Sequence, residues 1–132
     1  MAHINPTGEQ LKAFSAQKDE GPFVMVNLLK FKKEGDVNGN PGVNAYNRYM
    51  ENVAPLLDEV GGRLLWLGDV DDLFIGSSHD KWDRVMLVEY PSRKAFLDMI
   101  SRPEYLKVHE DREAGLETSA LLAGKTIISG MP

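Results

Sequence analysis

Phe23-Val24-Met25-Val26-Asn27-Leu28-Leu29-Lys30-Phe31 is a nine-residue run with seven apolar side chains and an amide at its centre. In an extended chain Phe23, Met25, Leu29 and Phe31 project to one side, and Val24, Val26 and Leu28 to the other. A strand wet on one face alternates apolar with polar residues. This one is apolar on both, so it predicts a central strand covered on both sides. Asn27 interrupts the first of those faces, and a buried amide there requires hydrogen-bond partners.

Working outward, Thr7 with Gln10 three residues later has the spacing of a capping box. It predicts a short helix carrying Leu11 and Phe14, closed by Gly21-Pro22. We read residues 1–22 as a helical extension on the surface of a single domain, 1–132, whose core spans about 23–128. Glu34 to Gly42 is dense in turn residues and predicts a mobile loop. Val43 to Val60 returns to helical spacing with Tyr46, Tyr49, Val53 and Leu56 on one side, and Pro55 predicts a kink. Gly61-Gly62 is a helix stop. Arg63–Leu67 reads as a second strand that resumes at Leu73–Ile75, and Trp82–Tyr90 as its hairpin partner. Ser92 is an N-cap ahead of Phe96, Leu97, Met99 and Ile100. Pro103 opens a further helix that Gly115 ends. A last strand falls within Thr118–Ile128.

The order is strand, helix, strand, strand, helix, strand, which is the ferredoxin-like α+β pattern, βαββαβ, with helices on one face of the sheet and an extra N-terminal helix. The second apolar face of the sheet then needs a cover. A second copy of the chain supplies one, as a homodimer in which two sheets close into an α+β barrel.

Composition narrows the function classes. The 132 residues carry 20 acidic and 15 basic side chains, a net charge of −5, which disfavours a nucleic-acid partner. Lys30-Phe31-Lys32-Lys33 is short and reads as a solvated strand end. There is no cysteine, so thiolate chemistry and cysteine–zinc sites are excluded. Neither a signal-like N-terminus nor an apolar run of about 18–20 residues is present, pointing to a cytoplasmic protein away from membranes.

Val26-Asn-Leu-Leu-Lys-Phe31, Gly61-Gly-Arg63, Leu65-Trp-Leu-Gly68, Ile75-Gly76, Trp82-Asp83, Val88-Glu-Tyr-Pro-Ser-Arg93, Pro103-Glu-Tyr105 and Arg112-Glu-Ala-Gly-Leu116 occur here in that order. Together they resemble domain-of-unknown-function family 1330, a group within the dimeric α+β-barrel superfamily. The resemblance runs from about Phe23 to Leu122 and leaves the first twenty residues outside. It implies the same fold and a homodimer, but no particular reaction. In that pattern a histidine often precedes the arginine late in the last helix. Asp111 stands there in this chain, so the resemblance assigns no role to His109.

Tyr105, His109 and Arg112 are spaced four and three apart, one stripe of a helix. An imidazole beside a fixed cation is suited to binding an anion and moving a proton, which makes His109 the candidate catalytic base. The alternative is a surface stripe with Arg112 paired to a carboxylate. Asn27 is either a structural amide or a ligand contact. Tyr46, Tyr49 and Trp66 are core residues or the walls of a pocket. The histidines His3, His79 and His109 have no paired ligand spacing and the glycines match no nucleotide loop, so neither metal nor cofactor is expected. Three functions follow: a cofactor-independent enzyme of the oxygenase or isomerase type on a small organic, anionic substrate, a non-catalytic binder of such a molecule, or a structural homodimer.

Overall fold

The computed structural model describes residues 2–18, 21–33 and 41–131. The elements are α1 (Gly8–Ala16), β1 (Phe23–Phe31), α2 (Gly42–Glu59), β2 (Arg63–Asp69), a short 3-10 turn (Ser78–Asp80), β3 (Arg84–Tyr90), α3 (Arg93–Ile100), α4 (Pro103–Gly115) and β4 (Leu116–Gly124). The four strands form one open antiparallel sheet in the order β2-β3-β1-β4. This is the expected α+β, ferredoxin-like architecture, with β1 central. The mobile-loop expectation falls on residues 34–40, outside the described residues; Gly42 itself begins α2.

Burial along β1 alternates residue by residue. Phe23, Met25, Asn27, Leu29 and Phe31 are buried, and the residues between them are half-buried. The buried face meets Met86, Val88 and Tyr90 of β3 in register and packs under α2, α3 and α4. The opposite face presents Val24, Val26 and Leu28 beside Val85 and Leu87, flanked by exposed Trp66 and Leu122. Among the described residues no element covers it.

The helix signals act as read. Thr7 Oγ1 accepts from Gln10 N at 3.1 Å, and Gln10 Oε1 accepts from Thr7 N at 2.9 Å. Ser92 Oγ caps α3 by accepting from Ala95 N at 3.0 Å, and Pro103 opens α4. Gly61 ends α2 at φ +80°, the left-handed conformation that favours glycine.

Three boundaries differ from expectation. Leu73–Ile75 is no strand: Val70 N donates to Asp83 O at 2.9 Å, the chain leaves the sheet there, and Phe74 and Ile75 stand in solvent. The hairpin partner begins at Arg84 and not at Trp82. The last strand runs Leu116–Gly124, starting directly from α4. The reason is a close crossing: Lys32 N donates to Gly115 O at 2.9 Å while Gly42 N donates to Lys32 O at 3.2 Å. The ends of β1 and α4 and the start of α2 are thereby tied at one point, and only glycines fit there.

The N-terminal extension is also more than a surface attachment. Ser119 N donates to His3 O at 2.8 Å, and His3 N donates to Thr118 Oγ1 at 2.9 Å, so the segment lies along β4. Phe14 of α1 enters an edge-to-face cluster with Phe23 and Phe96, and Arg93 lies 4.4 Å over the Phe14 ring while donating to the Phe14 carbonyl.

Candidate functional site

Between the helix-side face of the sheet and the four helices lies a cavity of about 740 Å³. One part of its wall is apolar, with Val53 and Leu57 from α2, Met86 and Val88 from β3, and Phe96 and Met99 from α3. The polar groups come from β1, β4 and α4 and from one residue of α2. They include Asn27, Tyr49, Tyr105, His109, Arg112 and Ser119, joined by His3, Ile4 and Asn5 of the N-terminal segment.

Asn27 reaches this position because β1 alternates and its neighbours Met25 and Leu29 anchor the same face. Its Nδ2 donates to Met25 O at 3.1 Å and to Met86 O at 3.3 Å. Two backbone carbonyls therefore hold the amide with its nitrogen toward the sheet.

Arg112 is 6% exposed on the inner stripe of α4. Its Nη1 donates to the Ile4 carbonyl and its Nη2 to Ser119 Oγ at 3.4 Å. Ser119 Oγ in turn donates to the His3 carbonyl at 2.6 Å. A guanidinium has five N–H donors, and these bonds engage two of them. Among the described residues no carboxylate pairs with it; neighbouring Asp111 pairs with Arg48 at 3.4 Å instead. A buried cation facing only neutral acceptors is an uncompensated charge.

Tyr49 Oη and Tyr105 Oη are 3.0 Å apart, bonding α2 to α4. Burial raises the Tyr49 phenol well above its ordinary value, and Tyr105 adds to this, so Tyr49 stays a neutral phenol. His109 packs near the Tyr105 ring at 5.7 Å, and its Nδ1 lies 3.3 Å from Glu113 Oε1. Its pKa is lowered, first by burial and then by Arg112, with Glu113 opposing, so the ring is neutral at pH 7. Glu113 also accepts from Asn5 Nδ2 at 3.3 Å.

Of the residues singled out in the sequence, Asn27, Tyr49, Tyr105, His109 and Arg112 line this one cavity. Tyr46 does not. It is 1% exposed and sealed between Phe31 and Tyr49, 5.4 and 5.3 Å from their ring centroids. Trp66 stands on the other side of the sheet, paired with Leu87, its indole lying over Gly68. The strand shifts register between Leu64 and Trp66, so Leu64 lines the cavity while Trp66 turns away. Sequence reasoning missed the wall formed by His3, Ile4, Phe14 and Ser119. Of these Phe14 and Ile4 are apolar, but Ile4 stands alone between His3 and Asn5 with no periodic pattern to mark it; His3 and Ser119 act through a backbone carbonyl and a hydroxyl.

Among the described residues no cluster of three His, Asp or Glu side chains is placed to hold a metal, and no helix is long and apolar enough to cross a membrane.

The model of the family described as "Domain of unknown function (DUF1330)" matches residues 42–126. The crystal structure of the RPA0582 protein of unknown function from Rhodopseudomonas palustris is 33% identical. It aligns over 98% of this chain and 100% of its own, with a TM-score of 0.90. That alignment takes in the N-terminal extension that the family model leaves out. A dimeric protein of unknown function with a ferredoxin-like fold from Bacteroides fragilis is similar at 13% identity, covering 80% of this chain and 96% of its own, TM-score 0.56. A protein described as a candidate antibiotic biosynthesis monooxygenase from Bacteroides thetaiotaomicron is similar at 16% identity, covering 86% and 96%, TM-score 0.57. At such identities the last two share the fold. No curated protein matches the chain.

Proposed function

The chain belongs to the domain-of-unknown-function family DUF1330, whose name assigns no reaction, and we propose from the cavity itself that the protein binds a small, largely apolar organic anion. The observation that carries this is Arg112, a buried cation without a carboxylate partner among the described residues, set beside an apolar cavity of about 740 Å³. Apolar walls with a few convergent polar groups are the usual make-up of a small-molecule site. A ligand anion at Arg112 supplies the missing counter-charge while its apolar body fills the rest.

His109 supports a catalytic extension of this reading. It lines the same cavity as a neutral imidazole, the state required of a general base, and the bonded Tyr49–Tyr105 pair keeps one O–H to donate to charge developing on a carbonyl oxygen. Proton abstraction beside a carbonyl, the opening step of cofactor-independent isomerases and oxygenases, is the chemistry these residues suit. The fold analogy with a candidate monooxygenase points the same way, as analogy only. The uncovered sheet face supports a homodimer as the working assembly, in keeping with the dimeric relative from Bacteroides fragilis.

Fluorescence titration with 8-anilinonaphthalene-1-sulfonate and with the uncharged N-phenyl-1-naphthylamine tests the binding site. Wild type is expected to bind the sulfonate, and Arg112→Met to weaken that binding about tenfold or more while changing the uncharged probe little. Equal effects on both probes, or none on either, would overturn the assignment.

A further inference from the structure

Asn27 carries the argument one step further, from the charge of the ligand to its hydrogen-bonding chemistry. Its Nδ2 faces two backbone carbonyls, Met25 O at 3.1 Å and Met86 O at 3.3 Å. Carbonyls only accept, so the amide has one allowed orientation, and Oδ1 is left as the outward acceptor. Among the described residues no donor reaches Oδ1. Nor is that atom sealed, for no fully enclosed side-chain polar atom lacks a partner. Its access is through the cavity that Asn27 lines. Asn27 is thus an acceptor on the cavity wall for which no described residue supplies a donor.

The sheet register sets how far this acceptor is from the cation. Asn27 pairs with Leu121 across β1 and β4, and Ser119, the hydroxyl that Arg112 contacts, is two residues further along the same face. Diagonal neighbours of this kind are about 7–8 Å apart at the backbone. Arg112 reaches the Ser119 end with Nη2 3.4 Å from its hydroxyl, so the acceptor and the cation lie at the two ends of a span on the scale of one aromatic ring with a substituent at each end.

We infer that the ligand is a hydroxyl- or amino-substituted organic acid, its anionic group toward Arg112 and its O–H or N–H donor bound by Asn27 Oδ1 across roughly one ring. This rests on the cavity being the ligand site. Asn27 is then the specificity-determining residue. It accepts ligands with a donor at that end and rejects those without one, because an unmet acceptor in an apolar wall destabilises the complex.

Matched probes separate this inference from the reading beneath it. Cinnamate and 4-hydroxycinnamate, and the shorter pair benzoate and 4-hydroxybenzoate, are titrated into the wild-type protein by calorimetry. Tighter binding of the hydroxylated member of at least one pair, by about tenfold or more, is the expected result. Asn27→Leu, checked for an intact fold by its melting transition, should erase that preference while retaining binding of the plain acid. If that variant does not fold, the wild-type ratios decide alone. Equal affinity within both pairs would overturn the Asn27 assignment and leave the anion site standing. Failure of all four acids to bind would overturn both.

Discussion

The hydroxyls of Tyr49 and Tyr105, 56 residues apart in sequence, meet at 3.0 Å and join α2 to α4 at the wall of the cavity. Both phenols are buried, and their rings meet edge to face with centroids 6.3 Å apart. Replacing either by Phe removes one hydrogen bond and leaves the partner hydroxyl to find water in the cavity. Each single variant should lose about 1 kcal/mol in urea denaturation. The double variant should lose less than the sum of the two, because the second substitution removes a group already without its partner. Simple additivity would mean the two hydroxyls do not interact.

A second close approach lies at the other end of α4. A Cβ on Gly115 would stand 2.5 Å from Gly42 O and 2.9 Å from Tyr46 N, both backbone atoms that cannot step aside alone. Gly115→Ala should therefore cost about 1–3 kcal/mol through overpacking. Gly8→Ala is the control, since nothing lies within 4 Å of its added Cβ. If the melting temperature of Gly115→Ala matched that of wild type, the crossing of α2, α4 and Lys32 would be looser than described.

His109 makes the protein's stability depend on pH in one direction. Burial and Arg112 lower its pKa in the folded protein below the ordinary 6.5, against the opposing pull of Glu113. Well above that value both folded and unfolded chains carry a neutral ring, and its contribution does not vary with pH. As pH falls through 6.5 the unfolded chain takes up the proton first, so stability declines. The decline levels off once the folded protein protonates too. Melting curves between pH 7.5 and 5 should fall less steeply for His109→Gln than for wild type. Parallel curves would show that His109 titrates alike in both states.

The uncovered face of the sheet predicts assembly. Val26, Leu28, Val85 and Leu87 lie at its centre, with Trp66 50% and Leu122 56% exposed at its flanks. A two-fold dimer through this face should bury more than about 1,000 Å². Light scattering is expected to give twice the chain mass for wild type and the chain mass for the Trp66→Glu, Leu122→Glu double variant. A wild-type monomer at micromolar concentration would rule the dimer out.

By itself the sequence determined the order of elements and the identity of the central strand. Those depend on local signals: the apolar run at 23–31, the Thr7 and Ser92 caps, Pro103 at a helix start and Gly61 at a helix stop. The stripe of Tyr105, His109 and Arg112 was legible for the same reason, since residues three and four apart on a helix share a face wherever that helix packs. What those residues face was a matter for the tertiary structure. Trp66 lies away from the cavity because one register shift in β2 reverses the alternation, and no propensity marks where a bulge falls. Tyr46, one helical turn from Tyr49, is sealed against Phe31, a contact set by how α2 crosses β1. The N-terminal wall was illegible because its link to Arg112 and Ser119 runs through the carbonyls of His3 and Ile4, and every residue has a carbonyl. Only the folded backbone brings the Ile4 oxygen to Arg112 and the His3 oxygen to Ser119.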